Sequence, residues 1–428
     1  MNVEIKKVAG NTTAQLVGKA FSAVTTVVTT AIIARKFGEV DFAAFFLMTG
    51  FSTYFYLLTD FGINAVVARE LSGEPENKKK FAYYFNNLLA LRILEALVLM
   101  IVLTLVLPFI PFKLSNLGTL RLGIMVGLVT IFSQSLYNCA TVIFQSRMDY
   151  QKLVLSAIIG NLTFLFLVFF LISRGFGILS LVVANTLGTL IVSAGALYFV
   201  QKFLGPVKLE FDYQLWKKLV WSSLPLGLGI VLTVVVAKAD QFLLSTLSFK
   251  PDLKMSNDLA LANYGLAYKV FENVLVFPTF FVNAVYPLLV RSFTEDKAKL
   301  KKIFWNAFYF MLASSFAVTF FGWYFSPLFI KIIGGEGFTE AAGALRILLL
   351  SLPLFFTSAL FLFLMITQGQ QKLVPYIYLL AAVSNVVLNL IFIPIYGFWA
   401  SAWLTGGTEL LIFVLVGYFS LRELRKLK

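Results

Sequence analysis

Nine ionisable side chains stand inside stretches otherwise apolar enough to cross a bilayer: Lys19, Asp60, Arg92, Glu95, Lys238, Asp240, Lys269, Glu272 and Glu409. A Lys, Arg or Asp at the centre of such a helix costs about 2.5–3.5 kcal/mol on insertion scales, so a chain keeps one where it is paired or put to use. Arg92 with Glu95 and Lys269 with Glu272 are three residues apart on one helix face and can neutralise each other. Arg92 and Glu95 also fall near the end of their span, where a long side chain reaches water. Lys19, Asp60, Asp240 and Glu409 have no such neighbour and are the first candidates for binding an anion or carrying a proton. Histidine is absent, so proton transfer would fall to Asp60, Asp240, Glu272 or Glu409. The single cysteine, Cys139, excludes an intramolecular disulfide.

The elements that must position these charges are helices. Of 428 residues, 59% are hydrophobic and 13% charged, with a mean hydropathy of +0.87, which no ordinary soluble domain approaches. Spans are predicted at about 12–34, 42–68, 82–110, 119–145, 153–173, 178–202, 217–247, 259–290, 303–332, 340–367, 373–394 and 397–420. The N-terminal run follows Lys6 and Lys7 but contains Lys19 and several threonines, so it reads as the first span and not a cleaved leader. The fold class is therefore all-α and polytopic, with about twelve transmembrane helices. Loops of roughly a dozen residues at most leave no room for an inserted catalytic domain.

A net charge of +14 on a soluble protein would suggest nucleic acid, but here it marks topology. With both termini in the cytoplasm, 22 of the 35 Lys and Arg fall on the inner side, nine outside and four within spans. A weak repeat at an offset of about 222 residues aligns VVARELSGEPENKKKFAYYFNN with LLVRSFTEDKAKLKKIFWNAFY, placing Arg69 on Arg291 and Lys80 on Lys302. Two six-helix bundles follow, 1–208 and 209–428. Six is even, so the halves share one orientation and relate by an axis along the membrane normal, with substrate expected to pass between them.

Polar residues at helical spacing mark faces turned toward protein or water. Thr12, Gln15, Lys19, Ser22, Thr26 and Thr29 form one stripe; Thr49, Thr53, Tyr56, Asp60 and Asn64 a second; Gln134, Asn138, Thr141 and Gln145 a third; Tyr264, Tyr268, Glu272, Thr279, Asn283 and Tyr286 a fourth. Each could serve helix–helix hydrogen bonding; several in both halves favour a hydrated cavity. Gly334-Gly335-Glu336-Gly337 lacks the Lys and Ser/Thr of a phosphate loop and reads as a turn. Gly227 and Gly229, after Pro225, read as a bend or a close-packing site.

The run Asn385-Val-Val-Leu-Asn389 through Ile393-Pro394, Gly397, Ala400 and Thr405 resembles the Asn-x-x-x-Asn, Ile-Pro-x-x-Gly, Ala-x-x-x-x-Thr signature of Wzx-type polysaccharide-repeat flippases. These belong to the MOP exporter superfamily, with the lipid II flippases and MATE drug exporters. TDFGINAVVARELS, FQSRMDYQKL, KADQFLLS and ANYGLAYKVFENVLVFPTFFVNAVYPLL extend the resemblance over essentially the whole chain. Asp41-Phe42-Ala43-Ala44 departs from it, standing where relatives often have Gly-x-Tyr. The resemblance implies a V-shaped pair of bundles that flips an undecaprenyl-diphosphate-linked oligosaccharide outward across the bacterial inner membrane by alternating access, for O-antigen, capsule or exopolysaccharide assembly. It also implies membrane lipids and polysaccharide polymerase or assembly proteins as partners. A sugar diphosphate needs a wet, partly cationic path, and Lys19, Lys238 and Lys269, with Asp60 and Glu272, are its expected lining. Some lipid II flippases hold sodium at positions that correspond here to Asp240, Asn385, Asn389, the Ser401 backbone and Thr405. Asn389 replaces a carboxylate found in some of them, which lowers the charge of the set. Asn385, Asn389 and Thr405 could instead bridge helices. The coupling ion is then sodium at this set or a proton on an acid such as Glu409; no other cofactor and no nucleic acid are expected.

A MATE-like cation antiporter shares the architecture and would have an acidic, aromatic cavity; four basic and five acidic intramembrane residues do not decide between them, and the motifs favour the flippase. A membrane glycosyltransferase or polymerase would need a sizeable outer loop or a solvent-facing carboxylate cluster, and the sequence has neither.

Overall fold

Chains this apolar must satisfy their backbone polar groups without water, and a helix does so within one segment. The computed structural model describes residues 3–74, 76–147 and 149–426, with side chains from Thr13 onward. Thr12 of the first polar stripe, and Lys6, Lys7 and Lys428 of the charge count, lie outside the described side chains. The helices are α1 (Val3–Asp60), α2 (Ile63–Ser72), α3 (Lys78–Val106), α4 (Leu117–Ser146), α5 (Gln151–Ser173), α6 (Ile178–Leu204), α7 (Tyr213–Thr246), α8 (Asn257–Val274), α9 (Val276–Glu295), α10 (Lys297–Gly334), α11 (Ala341–Leu350), α12 (Leu352–Thr367), α13 (Val374–Tyr396) and α14 (Phe398–Lys426). Short polar side chains start several of them: Asn77, Asn116, Ser256 and Asp296 each accept a backbone N–H of the first turn.

Among the described residues, ten helices are long and apolar enough to cross a membrane, and α11 with α12, bent by 41°, adds an eleventh. The first of the ten, residues 13–60, spans 48 residues, about 70 Å of helix and twice what one crossing needs. Gly38, at φ 74° and ψ −172°, divides it; without a Cβ the residue takes that conformation freely. Ten, one and one make the twelve spans expected, but the first connection is a kink where a loop was expected. Three spans predicted as continuous are also broken: the second at Phe61-Gly62, the eighth at Leu275 and the tenth at Ser351.

The chain divides into two compact units. The first takes in residues up to Ile32, Ala44–Pro111 and Ser115–Val231; the second takes in Ile33–Ala43, Phe112–Leu114 and the chain from Leu232 onward. In the first unit helices meet at small residues, as apolar surroundings require: a Cβ on Gly160 of α5 would lie 2.7 Å from the Gly188 carbonyl of α6, and one on Gly127 of α4 would lie 2.9 Å from the Met48 carbonyl of α1. Gly227 of α7 faces the Phe61 ring, where a Cβ would come within 2.4 Å. Close packing is thus the use of this glycine.

The segment 205–212 is strapped to α3 by two buried asparagines. Asn86 donates to Glu210 at 2.9 Å and accepts the Lys208 N–H; Asn87 accepts the Asp212 N–H at 2.8 Å, donates to Glu210 at 3.3 Å, and its carbonyl receives the Trp216 indole at 3.0 Å. The Tyr83 hydroxyl donates to Asp212 at 2.5 Å, and the N–H groups of Leu215 and Gln214 converge on the same carboxylate. These bonds hold the Asp212 carboxyl below its ordinary range, the Tyr83 bond most of all.

In the second unit, residues 33–43 pack by polar contacts. Asn263 of α8 donates to Glu39 at 2.7 Å and accepts the Ala341 N–H at 2.9 Å, while Arg35 donates to the Lys331 carbonyl at 3.1 Å. The Gly334–Gly337 run is the expected turn between α10 and α11, where Lys331 pairs with Glu336 at 2.7 Å and keeps its carboxyl low.

Candidate functional sites within the two units

In the first unit, Arg92 is the deepest charge. Its side chain is 0% exposed, against 21% for Asp60 and 28% for Glu95, so it does not reach for water as a charge near a span end was expected to. Its Nη2 donates to Asp60 Oδ1 at 2.9 Å, to the Asp60 carbonyl at 3.2 Å and to Asn64 Oδ1 at 3.2 Å, and its Nη1 to Glu95 at 3.3 Å. The expected pair with Glu95 is present, but Asp60, which has no neighbour of opposite charge in sequence, is the shorter partner. Fixing the Asp60 carbonyl also satisfies one of the acceptors left open where α1 ends. This is a structural junction at the α1–α2 break. It gives Asp60 a partner that its sequence neighbours do not supply.

Lys19 stays exposed on α1, three residues before half-buried Ser22. The stripes are used unevenly. Thr29, Thr49, Thr53 and Thr141 turn their hydroxyls back to carbonyls four residues earlier, and Asn64 donates to the Asn138 carbonyl at 3.0 Å, tying the second stripe to the third. Bonds within their own helix therefore account for the four threonines, and helix bridging for Asn64 and Asn138.

In the second unit, Lys238 of α7 donates to Glu272 of α8 at 3.0 Å, and Lys269 approaches the same carboxylate at 3.9 Å. The Lys238 ammonium also lies 4.7 Å from the centre of the Tyr268 ring. Two cations on one anion leave this cluster net positive, all three side chains being only part-buried.

The second unit also draws together the residues of the ion set. Tyr264 donates to the buried Asp240 carboxylate, whose other oxygen takes the Gln241 N–H at 2.7 Å. The Tyr264 oxygen lies 3.1 Å from Thr405 Oγ1, which donates to the Ser401 carbonyl at 2.9 Å. Ser401 Oγ donates to Asn389 at 3.3 Å, Asn389 to Asn385, and Asn385 to Thr408 at 3.0 Å. Asp240, Asn385, Asn389 and Ser401 are buried. One carboxylate among neutral oxygens fits a hard monovalent cation, and the same bonds bridge α7, α8, α13 and α14. Among the described residues no three His, Cys, Asp or Glu side chains gather in a metal-binding group. Glu409, buried, accepts from Ser358 of α12, next along α14 from Thr408. Tyr264 was read only as one member of a stripe; its place beside Asp240 depends on how α7 and α8 align, which no local pattern gives.

The family model described as polysaccharide biosynthesis protein matches residues 5–293, and the one described as MatE matches 225–391. A search of curated proteins finds no match. Among solved structures, the lipid II flippase MurJ in an inward closed conformation superposes with a TM-score of 0.76 at 15% identity, covering 95% of this chain and 87% of that one. An inward-facing multidrug resistance MATE family transporter of the MOP superfamily gives 0.73 at 15% identity, over 95% and 96%. A MOP superfamily transporter from Pyrococcus furiosus gives 0.66 at 16% identity, over 98% and 96%. At such identities the likeness is one of fold. With the first family model covering well over half its length, the chain belongs to the polysaccharide biosynthesis protein family, a multi-pass membrane protein built on the fold of the MOP-superfamily transporters.

Proposed function

We propose that the protein flips a polyprenyl-diphosphate-linked oligosaccharide from the cytoplasmic to the outer leaflet of a bacterial inner membrane, by exposing its headgroup path to each side in turn. The observation that carries this reading is Lys19, a lysine that stays exposed within the first membrane-length stretch of α1. A Lys inside such a span carries an insertion cost of about 2.5–3.5 kcal/mol, which an anionic headgroup would help to offset. Lys238 and Lys269, sharing Glu272, supply a second electropositive position suited to a diphosphate. Ion coupling is assigned to Asp240 with Tyr264, Thr405, Ser401, Asn389 and Asn385, whose oxygens would hold sodium or whose carboxylate would take a proton, with Glu409 as a second acid.

The test is complementation of a deletion strain, with lipid-linked intermediates counted on each leaflet. Lys19→Ala is expected to leave the protein in the membrane and glycolipid on the inner leaflet; full complementation would refute the role. Transport indifferent to sodium but lost when the pH gradient collapses would assign the acids to protons. The MatE match over 225–391 favours a second reading, a cation antiporter, which predicts export of organic cations and no change in leaflet distribution on deletion.

A further inference from the structure

Within the first unit, α1, α4, α5 and α6 enclose a pocket of about 200 Å³ lined by Ser22, Gln134, Tyr137, Asn161, Asn185 and Thr189, with Phe164 beside them. The lining has no carboxylate, ammonium or guanidinium, so a charged ligand finds no counter-charge there. An apolar ligand would leave amides and hydroxyls without partners, at a cost in this setting. Two of the polar groups are fixed by the protein: Asn161 donates to Ser22 at 2.9 Å, and Thr189 accepts from Ser133 at 2.9 Å while donating to the Thr186 carbonyl at 2.8 Å. Gln134 and Asn185 line the pocket and, among the described residues, make no hydrogen bond. Carboxamides that both donate and accept, hydroxyls, and the aromatic rings of Tyr137 and Phe164 together match a ring that carries hydroxyls around its edge and C–H bonds on its faces. The volume lies below the roughly 300–1,000 Å³ of drug-sized sites, which suits one ring and not a chain of them.

Position supplies the rest. Lys19 precedes Ser22 by three residues on α1, on the same helix face and about 4.5 Å away along the axis. A diphosphate drawn to Lys19 would carry its first substituent to the pocket mouth. We propose that this pocket is a neutral subsite for the carrier-proximal sugar of the lipid-linked glycan, and that Gln134 and Asn185 read its hydroxyls. The proposal rests on the flippase reading above.

The test uses the purified full-length protein and four probes: geranylgeranyl diphosphate, and the same lipid bearing glucose, galactose or N-acetylglucosamine. At least one glycosylated probe should bind about tenfold more tightly than the sugar-free lipid, as two or so neutral hydrogen bonds would give. Gln134→Leu with Asn185→Leu should erase that preference and leave sugar-free binding intact, which also reports that the variant folds; Lys19→Ala should weaken all four. Equal binding of all four probes by the wild type, or a preference that survives the double substitution, overturns the subsite alone. No binding of any probe overturns the lipid-carrier reading and the subsite with it.

Discussion

Replacing Arg92 with Leu removes the guanidinium from a site where it is wholly buried and makes four hydrogen bonds, to Asp60 twice, Asn64 and Glu95. Breaking a buried ion pair by deleting one partner typically costs about 3–5 kcal/mol, because the other charge is left stranded. Here the stranded carboxylates keep 21% and 28% of their side-chain surface, so water recovers part of the loss and about 2–3 kcal/mol is expected. Asp60→Asn should cost less, about 1–2 kcal/mol, since Arg92 keeps Glu95, Asn64 and the Asp60 carbonyl. In the double variant the two changes act on one interaction, so its loss should fall short of the sum by at least about 1 kcal/mol. Arg92→Lys should fall between, a single ammonium nitrogen standing in for both the Nη2 that reaches Asp60 and Asn64 and the Nη1 that reaches Glu95. Thermal midpoints followed by tryptophan fluorescence measure all four, with a drop of about 4–8 °C expected for Arg92→Leu. Strictly additive losses, or an Arg92→Leu variant as stable as wild type, would refute the junction.

Gly227→Ala puts a methyl group within 2.4 Å of the Phe61 ring position and should destabilise by about 1–3 kcal/mol; Phe61→Leu in the same chain should restore part of the melting temperature. Asn87→Leu removes both side-chain bonds to the 205–212 segment, and limited proteolysis should then cut that segment several times faster than in wild type, with unchanged cutting elsewhere. Asp212 has its carboxyl held low in the folded protein, so its contribution is present above the ordinary aspartate range and disappears as pH falls through the lowered value; Trp216 fluorescence should show that acid step, and Asp212→Asn should abolish it. Tyr264→Phe takes away the hydroxyl donated to Asp240 and should alter the sodium or pH dependence of transport while membrane levels stay within twofold.

The number of spans was readable because hydropathy over about twenty residues is a local quantity. The breaks inside them were harder to read: a loop was expected around residues 34–42, yet only Gly38 leaves helical geometry there, and the breaks at Leu275 and Ser351 are announced only by Pro278 and Pro353, three and two residues further on. Pairs three residues apart, Arg92 with Glu95 and Lys269 with Glu272, could be found from spacing alone. Asp60 with Arg92, Lys238 with Glu272 and Asp240 with Tyr264 could not, because each joins different helices at a depth and rotation fixed only by packing. The pocket had a faint signal: Asn161 is the one amide in a fifth span that is otherwise almost wholly apolar, and Asn185 and Thr189 sit one turn apart in the sixth. Nothing local said that those two faces would meet Ser22 and Gln134.

The last of the boundaries between the compact units, at Val231 and Leu232, falls inside α7, an uninterrupted helix from Tyr213 to Thr246, beyond the 205–212 connection. Cutting the gene at that connection would give a leading fragment deprived of the helical turns that complete its own core, including Leu215 and Leu219, and a trailing fragment burdened with a sticky apolar overhang. Bisected versions of this polypeptide should therefore recover activity more readily when the junction keeps residues up to 231 with the leading piece than when it falls at 205–212.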